Sequence, residues 1–459
     1  MECKAKEIPF ENQTIVAPMT PAGVSAVAAI RVSGSKVRDV VAYLFGEKAR
    51  ENLTPRMAKL GNARDIDSLL YLFFEGPNSY TGEDTLELYP HGNPLIVRNL
   101  LQAIREVEGV RLAEPGEYTR RAFLNGKMDL VQAESVADVI HSANASELKN
   151  ARRLLGGALS KKVAALTEQV KDVSARLELD VDFAEEEADP DYAGWETRFV
   201  KIRQSVQDIL NSFRGKAEVG RLPLVVLYGA PNAGKSSLVN ALLGEDRILV
   251  SDIAGTTRDF VEVRLFLKGG EIRLVDTAGL AQKAADALDA LSMEKSRQIL
   301  EEADLKILLV DPQNDVLCHC EEQGDVAIQG CSDLNSIKAD FILYTKQDLV
   351  DGPSGENVMR VSSKTGFGLD VLTTAMNERL FKDLENQEDL WITSEREKAC
   401  LEDALAGIDR VLAQLRSNPA VELLAFEMQV VRRALQSITG EISSEDVLQS
   451  IFAGFCIGK

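Results

Sequence analysis

The sequence predicts a multidomain α/β plus α chain: an α+β domain first, then a helical bundle divided in two by an inserted α/β domain. Three observations carry that reading. Short apolar runs between Val24 and Tyr89 alternate with glycine- and proline-rich turns. Two later stretches repeat apolar residues at alternating spacings of four and three, which lines one face of a helix. Between those stretches an apolar run leads into a glycine-rich loop and then a helix-like segment.

In the first part, Val24 to Val32 is small and apolar, and Leu69 to Phe74 and Thr85 to Tyr89 read as strands. Gly76-Pro77-Asn78-Ser79 and Pro115-Gly116 punctuate them. From Lys127 the rhythm is helical, with Leu159, Val163, Leu166, Val170, Val173 and Leu177 on one stripe. The acidic segment Glu185-Glu186-Glu187-Ala188-Asp189-Pro190 ends that helix, and another helical stretch runs to Phe213. A second stripe, Leu401, Leu405, Ile408, Leu412 and Leu415, is interrupted at Pro419 and resumes with Leu424, Met428, Val431 and Leu435. Such stripes are bundle core. The expected domains are therefore 1–126, 127–218 and 383–459 as two halves of one bundle, and 219–382 inserted between them. A length of 459 residues suits about three domains.

Composition narrows the class. Hydrophobic content of 45% and charged content of 27% are ordinary for globular chains. No apolar run approaches the ~20 residues of a membrane span, and Met1-Glu2-Cys3-Lys4 does not begin a secretory signal. The 6 cysteines lack a disulfide-framework spacing, which fits reduced thiols and a cytoplasmic location. A net charge of −20 argues against a free-standing nucleic-acid binder, although a basic patch or partner could supply the attraction. Cys318-His319-Cys320 with Cys331 matches no standard zinc spacing and is expected in a loop between two strands of the inserted domain.

The inserted domain carries the chemistry. Gly229-Ala230-Pro231-Asn232-Ala233-Gly234-Lys235-Ser236 follows the apolar run Leu224 to Tyr228 and fits the phosphate-binding pattern G-x-x-x-x-G-K-[ST]. Its backbone N–H groups and the following helix N-terminus face negative charge. Lys235 would reach the β- and γ-phosphates and Ser236 would ligate Mg²⁺. Asp276-Thr277-Ala278-Gly279 ends a strand and offers a carboxylate near Mg²⁺ and a glycine near the γ-phosphate. Gly255-Thr256-Thr257-Arg258-Asp259 falls where a mobile switch places a threonine hydroxyl on the metal. Thr345-Lys346-Gln347-Asp348 follows the strand Phe341 to Tyr344, and a buried Asp348 would accept guanine's N1–H and exocyclic amine. Ser362-Ser363-Lys364 supplies the loop over the base oxygen. Each tetrapeptide alone is weak, but in this order they describe a Ras-like domain for GTP and GDP.

Many such domains place glutamine after Asp-x-x-Gly to orient the attacking water. Here Leu280 can neither donate nor accept, so the water must be oriented from elsewhere. The chain end is also unusual: Phe452-Ala453-Gly454-Phe455-Cys456-Ile457-Gly458-Lys459 is apolar where termini are ordinarily polar. An ordered, buried terminus would carry Cys456 and Lys459 into a site.

Together these residues resemble the tRNA-modifying GTPase family MnmE, also called TrmE. The marks are the phosphate loop, Asp252-Ile253-Ala254-Gly255-Thr256-Thr257-Arg258-Asp259, Gly76-Pro77-Asn78-Ser79-Tyr80-Thr81-Gly82-Glu83-Asp84, Arg121-Ala122-Phe123-Leu124-Asn125-Gly126-Lys127 and the terminal Phe-Cys-Ile-Gly-Lys. The resemblance implies a folate-binding, dimerising N-terminal domain, a discontinuous helical domain and an inserted GTPase domain. It implies a cytoplasmic homodimer, with transient pairing of GTPase domains, and no membrane. A partner, MnmG (GidA), carries the FAD, and together they act on carbon 5 of the wobble uridine of certain tRNAs. The product is a carboxymethylaminomethyl or aminomethyl uridine, its carbon drawn from a tetrahydrofolate derivative (5-formyl or 5,10-methylene).

Carried over by motif, Arg31, Glu87, Lys127 and Lys459 would bind the folate, and Cys456 is tied to modification as nucleophile or as an ordering group. Nucleotide contacts fall on Asn232, Ala233, Gly234, Lys235, Ser236 and Ser237, on Ser251 through Thr257 including Asp252, Ile253, Ala254, Gly255 and Thr256, and on Asp276, Thr277, Ala278 and Gly279. Thr345, Lys346, Asp348, Ser362, Ser363 and Lys364 complete them. The resemblance also answers Leu280: Asn232, Ser251, Ile253 and Thr256 would coordinate K⁺, with Ser236 and Thr257 on Mg²⁺. The sequence departs from the family at Thr345, where asparagine is usual, and at Asp289, which aligns with the family's general-base glutamate only after a one-residue shift. A ribosome-assembly GTPase would share the nucleotide motifs but carry a basic RNA-binding domain, which this acidic chain lacks.

Overall fold

The computed structural model describes residues 13–182, 192–215, 221–230, 232–244, 261–276, 298–313, 317–320, 325–328, 339–349, 358–385, 390–417 and 421–459. They divide into two compact units. One takes the chain up to Ile140 with Ala151–Phe213 and Leu390–Lys459; the other takes His141–Asn150 and Arg214–Asp389.

The first unit opens with β1 (Thr14–Pro18), β2 (Ser25–Val27), β3 (Ile30–Ser33), α1 (Val37–Phe45) and α2 (Glu47–Glu51). Then come β4 (Lys59–Ala63), β5 (Asp67–Phe74), β6 (Thr85–Tyr89), β7 (His91–Gly92), α3 (Pro94–Arg105), β8 (Val110–Leu112) and α4 (Glu117–Leu124). A 6-stranded sheet runs β4-β5-β6-β3-β1-β8. The strand β8 pairs parallel to β1 and the other neighbours are antiparallel. Side chains alternate across such a sheet. Leu69, Tyr71 and Phe73 of β5 turn inward with Ile30, Val32, Leu86 and Leu88 against α1 and α3. The other face therefore carries Ala17, Arg31, Glu87 and Leu72 in one cross-strand row. The apolar run from Val24 to Val32 is divided between β2, which pairs with β7 in a separate ribbon, and β3.

Next are α5 (Leu130–His141), α6 (Ala145–Leu155), α7 (Ala158–Asp182) and α8 (Tyr192–Asn211). A reciprocal capping box starts α5: Asp129 Oδ1 accepts from the Gln132 N–H, and Gln132 Oε1 accepts from the Asp129 N–H.

The second unit contains β9 (Leu224–Gly229), α9 (Lys235–Gly244), β10 (Val261–Leu267), β11 (Gly270–Asp276), β12 (Leu305–Val310), β13 (Leu317–Cys320) and β14 (Asp325–Ile328). It ends with β15 (Phe341–Tyr344), β16 (Val358–Arg360) and α10 (Leu369–Glu385). Its 6-stranded sheet runs β10-β11-β9-β12-β15-β16, parallel apart from the β10–β11 hairpin. Residues 141–150 join this unit through a bridge from Asn144 to Gly270. Cys318, His319 and Cys320 lie on β13, which pairs with β14, so they occupy a hairpin and not the open loop expected from sequence.

The chain closes with α11 (Glu395–Leu415), α12 (Val421–Thr439) and α13 (Glu445–Ala453). The stripes of α7, α11 and α12 meet those of α8 in one core: Val163, Val170, Phe199, Ile202, Ile408, Met428 and Val431 are buried together. Arg396 braces it, donating to both Glu134 carboxylate oxygens and to the Ser437 and Ile438 carbonyls at the end of α12. The tail then packs home. Leu448, Phe452 and Phe455 are buried with Leu130 and Ala133. Gly458, with φ 95°, lies so close to Pro18 that a Cβ there would collide with the Pro18 carbonyl oxygen. Cys456, however, is exposed, so the terminus is anchored on either side of its cysteine without burying it.

A Gly458→Val substitution forces both the clash and an unfavourable φ, at a cost of about 1–3 kcal/mol. Amide hydrogen exchange over residues 452–459 should then accelerate; exchange at the wild-type rate would contradict this anchoring.

Candidate functional site

Two clusters of polar side chains stand out, one in each unit. The nucleotide-type site lies at the carboxyl ends of the parallel strands, the usual ligand edge of such sheets. Strand β9 is central, flanked by β11 and β12. The turn after it needs glycine at Gly229, where a Cβ would strike the Leu309 carbonyl oxygen. Lys235 opens α9 and is only 5% exposed. Its ammonium donates to the Gly229 and Ala230 carbonyls, at 2.8 Å each, so the positive charge sits inside the curl of the loop. Ser236 Oγ donates to Asp276 Oδ2 at 2.6 Å. Asp276 itself is 3% exposed. A hydroxyl and a carboxylate converging at a helix N-terminus are the oxygen donors that Mg²⁺ prefers, and these two fit it. Asn232 has φ 65° and an exposed side chain; Ala233 is buried, Gly234 half-buried, and Ser237 exposed.

The segment expected from sequence to read the base packs directly on this loop. Thr345 Oγ1 donates to the Ala233 carbonyl at 2.8 Å. Lys346, at φ 56°, pairs its ammonium with buried Asp311 at 2.5 Å. Ser362, fully buried, donates to Asp348 Oδ1 at 2.7 Å. That hydroxyl is the main cause holding the Asp348 carboxyl below its ordinary value. The expected burial of Asp348 is corrected: its side chain is exposed, because the loop turns it outward while Ser362 holds one oxygen from below. Ser363 is half-buried and Lys364 exposed alongside. Ser251, Asp252, Ile253, Ala254, Gly255, Thr256, Thr257, Thr277, Ala278, Gly279, Leu280 and Asp289 lie outside the described residues.

The second cluster sits on the outer row of the first sheet. Arg31 Nη2 pairs with Glu87 Oε1 at 2.8 Å, the two side chains being 12% and 13% exposed. The guanidinium lies 4.8 Å from the Tyr80 ring centre and 5.7 Å from that of Tyr118. Tyr118 donates to the Arg31 carbonyl at 2.6 Å. Tyr89 donates to Glu87 Oε2 at 2.6 Å, and burial together with that carboxylate pushes the phenol up to about 12. Glu87 Oε1 accepts from both Nε and Nη2 of Arg31, so it is Oε2, bonded by Tyr89 alone, that keeps a lone pair for an incoming donor.

Sequence reasoning placed Lys127 and Lys459 with this pair. Lys127 donates to the Pro77 carbonyl at 2.8 Å, and Asn125 to that of Thr81 at 2.7 Å, so this motif braces the Gly76–Asp84 loop. Lys459 closes the tail with its N–H on the Cys456 carbonyl at 3.3 Å. Its neighbour Gly458 rests on Pro18, whose strand partner is Ile30, next to Arg31. Tyr80, Tyr89, Tyr118 and Asp311 were not singled out from sequence. Tyr89 could have been, since it follows Glu87 by two residues on a strand and so shares its face. Among the described residues, no group of three His, Cys, Asp or Glu could hold a metal ion. No helix is long and apolar enough to cross a membrane, among the described residues.

Residues 130–456 match the family model of the MnmE helical domain, and residues 14–127 that of the GTP-binding protein TrmE N-terminus. The chain is 37% identical over 464 residues to the tRNA modification GTPase MnmE of Dichelobacter nodosus (strain VCS1703A), covering 98% of this chain and 99% of that one. Among solved structures, the G domain of the T. maritima FeoB iron transporter is 27% identical, with a TM-score of 0.25 over 35% of this chain and 99% of that one. Translation elongation factor SelB from Methanococcus maripaludis, with a GTP analogue, is 18% identical, with a TM-score of 0.24 over 37% of this chain and 35% of that one.

Because the Asp348 carboxyl is held low, it stays ionised as pH falls and protonates only below the usual carboxylate range, about pH 3.9. The ratio of affinities for GDP and inosine diphosphate cancels phosphate titration and should stay flat from pH 7 to about 4.5. A ratio that collapses above about pH 5 would show a carboxyl raised above its ordinary value.

Proposed function

The chain belongs to the MnmE (TrmE) family of tRNA modification GTPases, and on that premise we propose that its GTP hydrolysis drives modification at carbon 5 of the wobble uridine of certain tRNAs. The observation that carries the reading is the convergence of Lys235, Ser236 and Asp276 at one loop. Lys235 exchanges the loop carbonyls for phosphate oxygens, which keeps its buried charge paired throughout. Ser236 and Asp276 would hold Mg²⁺, with Thr257 beside them. When bound, that ion would supply charge neutralisation at the phosphates. Asp348 reads the guanine edge, with Ser362 fixing its carboxylate and Ser363 and Lys364 closing over the base.

Leu280 cannot orient a water, so another source must stabilise the developing charge. Pairing of two GTPase domains would complete a K⁺ site from Asn232, Ser251, Ile253 and Thr256; a cation there would do the electrostatic work of an arginine finger. Asp289 is the proposed general base. In the N-terminal unit, Glu87 would accept hydrogen bonds from the donor edge of a tetrahydrofolate derivative, while Arg31 orients that carboxylate and Lys127 and Lys459 hold acidic groups. The carrier supplies the one-carbon unit. The residues described fit it: Glu87 is oriented on both oxygens, by a phenol and by a cation set between two tyrosine rings. Dimerisation through this unit, a flavin-carrying MnmG (GidA) partner and a cytoplasmic setting complete the proposal. Exposed Cys456 stands on the anchored tail, available to that chemistry.

GTP turnover in K⁺ should exceed that in Na⁺ by at least about tenfold, a transition-state gain of ~1.4 kcal/mol. Equal turnover in both salts would overturn the cation-assisted mechanism.

A further inference from the structure

We propose that this chain recognises guanine without a hydrogen bond to the base's N7, because Thr345 commits its only side-chain donor to the phosphate-binding loop. The inference rests on the base-recognition role proposed above for Thr345 to Asp348.

Thr345 is 3% exposed, and its backbone N–H is used on the Val310 carbonyl at 3.0 Å. A hydroxyl carries one proton. Two carbonyl oxygens compete for it, Ala233 at 2.8 Å and Val310 at 3.3 Å, and both are acceptors. Gly234 closes over the side chain, since a Cβ there would lie 3.7 Å from the Thr345 Cβ, Cγ2 and Oγ1. The hydroxyl is thus a tether between the base loop and the phosphate loop, and only lone pairs remain on it. Guanine presents N7 and O6 as acceptors on the edge away from its amine. Lone pairs facing N7 form no bond.

Two neighbouring side chains also have partners of their own. The Lys346 ammonium is ion-paired with Asp311 at 2.5 Å, and the Ser362 hydroxyl is on Asp348 Oδ1 at 2.7 Å. An asparagine at this position would have two N–H donors, one for the loop carbonyl and one for N7. Threonine keeps the first function and drops the second. Purine discrimination in this chain therefore falls on the Watson–Crick edge, through Asp348, and the site tolerates replacement of N7 by carbon.

The test uses the full chain with Mg²⁺ and competition binding of GDP, 7-deaza-GDP and inosine diphosphate. GDP and 7-deaza-GDP should bind within about twofold of one another, less than one hydrogen bond is worth. Inosine diphosphate, lacking the amine, should bind about tenfold or more weakly. In Thr345→Asn a gap of about fivefold to tenfold should open between GDP and 7-deaza-GDP. A wild-type chain that binds GDP about fivefold or more tightly than 7-deaza-GDP overturns the inference while leaving Asp348 its role. Equal binding of GDP and inosine diphosphate overturns the base-recognition reading and the inference with it. If the variant does not fold, the wild-type comparison decides alone.

Discussion

The nucleotide site depends on one register. Strand β11 pairs parallel with β9 so that Asp276 lies opposite Leu227, two residues before Gly229. The carboxylate therefore ends its strand level with the turn that leads into α9, and meets Ser236 at 2.6 Å. A slip of one residue would turn Asp276 to the opposite face of the sheet and Val275 toward the loop. Apolar residues on both faces lock that register. Val225, Leu227, Leu274 and Ile307 fill one core, and Val226, Tyr228 and Val275 fill the other. Burial of hydrocarbon thus sets the position of two oxygen atoms.

The first unit uses the same device. Helices α1 and α3 cover one face of the sheet, and alternation leaves Arg31 and Glu87 as opposed residues on the other. Burial of both charges to about the same degree is tolerable because their contacts are made: the guanidinium has a carboxylate and two rings, and the carboxylate has a guanidinium and a phenol. Removing one partner of such a pair leaves the other stranded, which costs more than the pair contributes.

Much of this was legible because helical and strand periods record burial directly. Leu159, Val163, Leu166, Leu401, Ile408, Met428 and Val431 were assigned to a bundle core from spacing, and all are buried there. The phosphate loop was legible because its glycines, lysine and serine sit at adjacent positions in the chain. What spacing does not encode is partnership across elements. The tether from Thr345 to Ala233 spans 112 positions, and the pair of Lys346 with Asp311 spans 35. Exposure of Asp348 was misjudged for a related reason: a loop residue's orientation is set by its neighbours, here by Ser362, and not by a period.

The most direct test of the account is to replace Asp276 with alanine and follow Mg²⁺-dependent GTP hydrolysis in the purified chain together with the mass of wobble uridines in cells that carry only the variant. A folded Asp276→Ala protein should lose hydrolysis by about a hundredfold or more and leave those uridines undermodified. Hydrolysis at the wild-type rate would contradict the placement of the carboxylate, and full modification without hydrolysis would contradict the coupling.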